Sequence, residues 1–153
     1  MSKPCETVTV NIDNRTVTAP KGATILAAAR QNGVYIPTLC AHKDLTPYGG
    51  CRMCIVEVEK MRGLPTSCTT PVEDGLIIRT HTAQLQSERA EILRLILSEH
   101  PSSCLICDEQ AECREFMGTI RKAGVTTGCR WCANDGQCEL QEVVEWMGIT
   151  EIG

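Results

Sequence analysis

The chain has 153 residues, a net charge of -4 and 3% aromatic residues against 42% hydrophobic ones. With so few large rings to bury, a chain of this length, enough for one medium domain or two small ones, needs stabilisation beyond hydrophobic packing, and its 11 cysteines are the place to look. The negative charge and the lack of a Lys/Arg cluster argue against nucleic acid as a partner, and no apolar run is long enough to insert in a membrane.

The opening segment, MSKPCETVTVNIDNRTVTAP, alternates polar and apolar residues and lacks the charged head and unbroken apolar stretch of a secretory signal. The expected setting is the reducing cytosol, where many cysteines mean metal sites rather than disulfides; their odd number points the same way. Residues 7–19 read as a hairpin, with Val8, Val10 and Ile12 on one face, Asp13-Asn14 at the turn and Val17 resuming the pattern. Pro20-Lys21-Gly22 breaks it, and a short helix from about Thr24 to Gln31 follows, stopped by Asn32-Gly33. A cysteine-bearing loop runs from Cys40 to Cys54. Ile55, Val56 and Val58, then Leu76, Ile77 and Ile78, read as two further strands joined through MRGLPTSC.

From Thr82 to His100 the period becomes helical, with Leu85, Ile92, Leu93, Ile96 and Leu97 on one face and Pro101 ending the run. Beyond it, Phe116, Met117 and Ile120 suggest one short helix, and Leu140, Val143, Val144 and Met147 another. Each directly follows a cysteine array, so the C-terminal third reads as two similar units.

Cys40, Cys51, Cys54 and Cys68 are spaced C-x10-C-x2-C-x13-C. A binuclear iron–sulfur cluster needs four thiolates, two on each iron, and a loop with one cysteine returning from a neighbouring segment can supply them. Gly49-Gly50 would bring bare backbone N–H groups close to the sulfurs. Zinc and ordinary buried thiols are the competing readings; zinc commonly takes two C-x2-C knuckles, and this set has one.

The second set is His100, Cys104, Cys107 and Cys113, spaced H-x3-C-x2-C-x5-C. Three thiolates and one neutral imidazole suit a cubane cluster, and the imidazole makes such a cluster easier to reduce than four thiolates would. The third set, Cys129, Cys132 and Cys138, repeats the cysteine spacing with Val125 where the histidine would stand. It fits a second [4Fe–4S] cluster with its fourth ligand from elsewhere, a zinc site, or a relic whose thiols only pack. Cys5 is unassigned and reads as an orphan thiol, His42 as solvated, His81 as the close of a strand, and Trp131 as a shield inside the third array or plain packing.

The segment CAHKDLTPYGGCRMCIVEVEKMRGLPTSC, the strands and helix before it, and HPSSCLICDEQAEC after it resemble the N-terminal iron–sulfur region of the large iron–sulfur subunit of NADH dehydrogenase (complex I). They equally resemble the matching part of NAD-reducing and electron-bifurcating hydrogenases and formate dehydrogenases. The resemblance covers residues 7 to about 117. It implies an α+β fold, a β-grasp [2Fe–2S] ferredoxin-like domain over 1–81, then a small helical, loop-rich iron–sulfur domain over 82–153. The second domain would consist of a linker helix and a [4Fe–4S] unit with one histidine and three cysteines; the repeat adds a second unit with three cysteines alone, and the family pattern does not settle what that copy binds. The Glu139-Leu140-Gln141 that follows the third array is the family's usual continuation after its histidine-and-three-cysteine motif, whereas Arg114-Glu115-Phe116 follows the second, as if a unit had been duplicated.

No G-x-G-x-x-G or G-x-x-x-x-G-K-[ST] loop occurs, and no Ser/His/Asp or paired-carboxylate arrangement stands out. The chain is therefore expected to carry electrons without bond chemistry of its own. The resemblance implies a place in a hetero-oligomer between a flavin-containing, NADH-binding subunit and a catalytic subunit of hydrogenase or formate dehydrogenase type. A zinc-stabilised adaptor and a free soluble ferredoxin are the alternatives.

Overall fold

The hairpin forms where the alternation places it. Strands β1 (Thr7–Ile12) and β2 (Arg15–Pro20) pair antiparallel with Ile12 opposite Arg15, which leaves Asp13 and Asn14 as a two-residue turn. Both have left-handed backbone, φ 48° and 65°, the condition for a turn whose twist matches the flanking strands. Asp13 has a second task. Its carboxylate accepts from the backbone N–H of Thr80 at 2.7 Å and from the Thr80 hydroxyl at 2.5 Å, and Thr80 is fully buried. Asp13→Ala should therefore destabilise the fold by about 2 kcal/mol, since it leaves the buried Thr80 N–H unmatched and replaces a residue that tolerates positive φ with one that tolerates it less well. A thermal melt of the variant should show a fall of roughly 10 °C.

The computed structural model of the protein describes residues 6–100 and 137–150. Its contacts divide the chain into two compact units, Met1–Ile92 and Leu93–Gly153. In the first unit, helix α1 (Ile25–Gln31) starts at Thr24, whose hydroxyl accepts from the Ala27 N–H at 3.2 Å, and ends at Asn32 with Gly33 at φ 69°. Strands β3 (Glu57–Val58) and β4 (Ile77–Arg79) complete a four-stranded sheet in the order β2-β1-β4-β3, with β1 and β4 parallel and the outer pairs antiparallel. Val8, Val10 and Ile12 of β1, Ile78 of β4, and Ile25, Leu26, Ala28 and Ala29 of α1 share one core, while Thr7 and Thr9 face out. This helix laid on one face of a mixed sheet is the β-grasp arrangement.

Two strands depart from the apolar runs, one by being shorter and one by its position. Ile55 makes only an isolated bridge to Thr66, so β3 starts at Glu57, and β4 is displaced by one residue from the Leu76–Ile78 run. The physical reason for the first lies in helix α2 (Ala83–Ser98): Arg89 takes the carbonyls of Met53 and Ile55, so these are not offered to a sheet ladder. For the second, Gly75 turns at φ 78° and Leu76 is still in the turn, although its carbonyl already accepts from the Asn11 N–H at 2.8 Å.

Helix α2 is capped by Thr82, whose hydroxyl accepts from the Leu85 N–H at 3.2 Å and bonds the Glu57 carboxylate. Its most buried positions are Leu85, Arg89, Leu93 and Leu97, four residues apart, with Ile92 and Ile96 half-buried beside them. In the second unit, helix α3 (Glu139–Met147) buries Val143 and Val144 and is closed by Gly148 in the left-handed conformation, φ 65°. The helix expected around Phe116, Met117 and Ile120 lies outside the described residues. Among the described residues no helix is long and apolar enough to cross a membrane.

Candidate metal centre

The four cysteines of the first set occupy two levels of the first unit. Cys54 and Cys68 are buried members of the core cluster, whereas Cys40 and Cys51 are half-buried. The two deep ones are held by main-chain bonds between their own segments: the Ser67 N–H donates to the Cys54 carbonyl at 2.9 Å, and the Val56 N–H to the Pro65 carbonyl at 3.0 Å. Helix α1 holds the same segment from the other side, its Ile25 and Leu26 N–H groups donating to Thr70 and Ser67 at 2.9 Å. The first turn of a helix has such N–H groups to spare, so fixing Cys68 disrupts no intrahelical bond. Residues 66–70 close into a tight turn, with the Thr70 hydroxyl on the Thr66 carbonyl at 2.8 Å and the Thr66 and Thr69 hydroxyls 2.5 Å apart.

The electrostatics of the set suit iron. Burial, then a hydrogen bond with Cys54, then the charges that Cys54 and Cys40 would carry, push the Cys68 thiol up to about 12, while the Gly49 backbone N–H, hydrogen-bonded to it, pulls the other way. Without a cation the Cys68 thiol holds its proton. A metal cation such as ferric iron would supply the positive charge that lets it ionise. Among the described residues no three His, Cys, Asp or Glu side chains are gathered closely enough to hold a single ion. A binuclear cluster does not need that, because it takes two thiolates at each of two irons. Gly49 is buried at φ 69°, and a β-carbon there would lie 3.0 Å from the Thr66 hydroxyl oxygen, so the site has room for a bare backbone at this point and for little else.

Arg89 is the residue of this site that sequence reasoning missed. Its guanidinium is fully buried and donates to three main-chain carbonyls: Nε to Met53 at 3.1 Å, Nη1 to Thr80 at 3.0 Å and Nη2 to Ile55 at 2.6 Å. Met53 and Ile55 flank Cys54. The available signal was the gap at 89 in an otherwise apolar stripe of α2.

The other expected ligands fall in the second unit. His100 is half-buried just past the end of α2, and its backbone N–H donates to the Leu97 carbonyl at 3.0 Å. Cys104, Cys107, Cys113, Cys129 and Cys132, with Cys5, Val125 and Trp131, lie outside the described residues. Cys138 is half-buried and caps α3 through its main chain, its carbonyl accepting from the Glu142 N–H at 3.1 Å and its side chain making no capping bond. His42 is exposed and lies 3.5 Å from Asp44; His81 is exposed, with its Nδ1 2.6 Å from the Thr80 hydroxyl.

Residues 5–83, just over half of the chain, match the 2Fe-2S iron-sulfur cluster binding domain family. The chain belongs to that family. Residues 89–114 match the NADH-ubiquinone oxidoreductase-G iron-sulfur binding region. The iron–sulfur chain is 44% identical over 106 residues to the NADH-ubiquinone oxidoreductase 75 kDa subunit of Reclinomonas americana, a match covering 69% of this chain and 15% of the relative. It is 36% identical over 149 residues to NADP-reducing hydrogenase subunit HndD of Solidesulfovibrio fructosivorans, covering 94% of this chain and 21% of the relative. Among solved structures, NAD+-reducing [NiFe]-hydrogenase in the H2-reduced state superposes with a TM-score of 0.60 at 28% identity, over 78% of this chain and 50% of that one. The matches thus take in only 15% and 21% of the length of these two curated relatives. The iron–sulfur chain combines a 2Fe-2S binding domain with a 4Fe-4S binding region.

Proposed function

We propose that this chain is an electron-transfer segment in which Cys40, Cys51, Cys54 and Cys68 hold a [2Fe–2S] cluster. His100, Cys104, Cys107 and Cys113 hold a [4Fe–4S] cluster, and Cys129, Cys132 and Cys138 contribute to a second one. The observation that carries the reading is the crowding of the Cys40, Cys54 and Cys68 thiols beside the Gly49 N–H, within the stretch that matches the [2Fe–2S] family.

When bound, a [2Fe–2S] cluster supplies one-electron storage. The protein's own groups determine how the electron is received. Cys54 and Cys68, anchored in the core, fix the inner side; the half-buried Cys40 and Cys51 mark the side nearer to solvent, from which a donor or acceptor can approach. The Gly49 N–H sits where it stabilises negative charge on the Cys68 sulfur. The names of the relatives, which are subunits of NADH-ubiquinone oxidoreductase and of an NADP-reducing hydrogenase, support a role inside a larger NAD(P)-linked assembly. In our reading the chain relays electrons there between a flavin-containing, NADH-oxidising subunit and a catalytic oxidoreductase subunit, in the cytoplasm.

Anaerobic purification with iron, sulfide and zinc analysis tests the proposal. The expected content is about ten irons per chain, two from the binuclear site and four from each cubane. Cys129, Cys132 and Cys138 changed together to serine should remove about four of them and leave the rest. Zinc in place of iron would sink the electron-transfer reading, and about six irons in the wild type would remove the third cluster alone.

A further inference from the structure

A buried arginine is ordinarily matched by a carboxylate, because an unpaired charge inside a protein is severely destabilising. Arg89 is fully buried, yet all three of its hydrogen bonds go to neutral carbonyls. Two of these, Met53 and Ile55, stand on either side of Cys54. The groups whose charge favours the guanidinium are, in order, Cys54, Asp13 and Tyr35, while burial pulls its pKa down to about 10, which leaves it charged at neutral pH. Asp13 makes no hydrogen bond to the guanidinium, and both of its oxygens accept from Thr80. The guanidinium is therefore fixed, by its own hydrogen bonds, beside the main chain that carries Cys54.

The charge of a bound cluster resolves the mismatch. Four thiolates and two sulfides outweigh two ferric ions, and reduction adds one further negative charge. Resting on the binuclear reading of the four cysteines, we infer that Arg89 is a positioning residue for the [2Fe–2S] centre: it fixes the main chain on both sides of Cys54 and, as the buried counter-charge, raises the reduction potential. Each of its three nitrogens donates to a carbonyl, so the planar fork is held and the charge cannot swing away from the site.

The test is an EPR-monitored redox titration of the full, anaerobically loaded chain as wild type, Arg89→Gln and Arg89→Lys. Glutamine keeps a donor and loses the charge; the reduction equilibrium of the binuclear signal should move about tenfold toward the oxidised form, about 59 mV more negative for one electron. Lysine keeps the charge and should restore most of the wild-type potential. A lysine variant that loads the cluster while the glutamine variant does not also supports the charge role. Equal potentials in all three proteins, an equal shift in both variants, or loss of the binuclear signal from both would each reduce Arg89 to a structural brace and overturn the inference. A wild type without any binuclear signal would instead refute the cluster assignment itself, which separates the two failures.

Discussion

Cys51→Ala should abolish the binuclear EPR signal of the reduced protein, lower the iron content by about two per chain, and leave the cubane-type signals in place. Cys51 is the informative position because it is half-buried and outside the core cluster, whereas Cys54 and Cys68 are part of that core. Removing either deep thiol would open a cavity and remove a ligand together, and the two effects could not be separated. At Cys51 the metal-free chain should keep its melting temperature to within a few degrees, because a partly exposed side chain contributes little packing. The cubane signals should survive because their expected ligands, from His100 onward, belong to the other compact unit. An unchanged binuclear signal in the variant would refute Cys51 as a ligand.

Gly49→Ala should be nearly as severe. At φ 69° an L-residue is strained by about 1–2 kcal/mol, and the new methyl would press on the Thr66 hydroxyl at 3.0 Å. That oxygen cannot retreat freely, since it is 2.5 Å from the Thr69 hydroxyl inside the turn that carries Cys68. Strain and overpacking together should cost about 3 kcal/mol, and the shift should carry the Gly49 N–H away from the Cys68 sulfur. Low cluster occupancy, with the remaining signal at a more negative potential, is the expected result. Gly50→Ala is the control. Its β-carbon would fall 2.1 Å from the Tyr48 ring, but that side chain is 73% exposed and can swing into solvent. Equal loss in both variants would show that the backbone at 49 has no special role.

What could be read from the sequence follows from what is local. The hairpin, its Asp13-Asn14 turn, the helix start near Thr24 and the Asn32-Gly33 stop all depend on neighbouring residues, and each is found where the pattern placed it. The C-x2-C spacing of Cys51 and Cys54 is local in the same way, whereas the approach of Cys40 and Cys54 to Cys68 depends on the fold. Arg89 was not readable, because its partners are nine to thirty-six residues away and are carbonyls, which every residue has. The same long-range bonds shortened β3, so the error there and the missed residue share one cause. Asp13 was read as a turn former, and its hold on Thr80, sixty-seven positions further on, left no mark in the sequence.

The stretch matching the 2Fe-2S family ends at residue 83, six positions before Arg89. A fragment excised at that point would contain every cysteine of the first set, yet the carbonyls of Met53, Ile55 and Thr80 would lose their donor where solvent has little access. The smallest piece that can be cut out and still close around its cluster therefore includes the first two turns of α2.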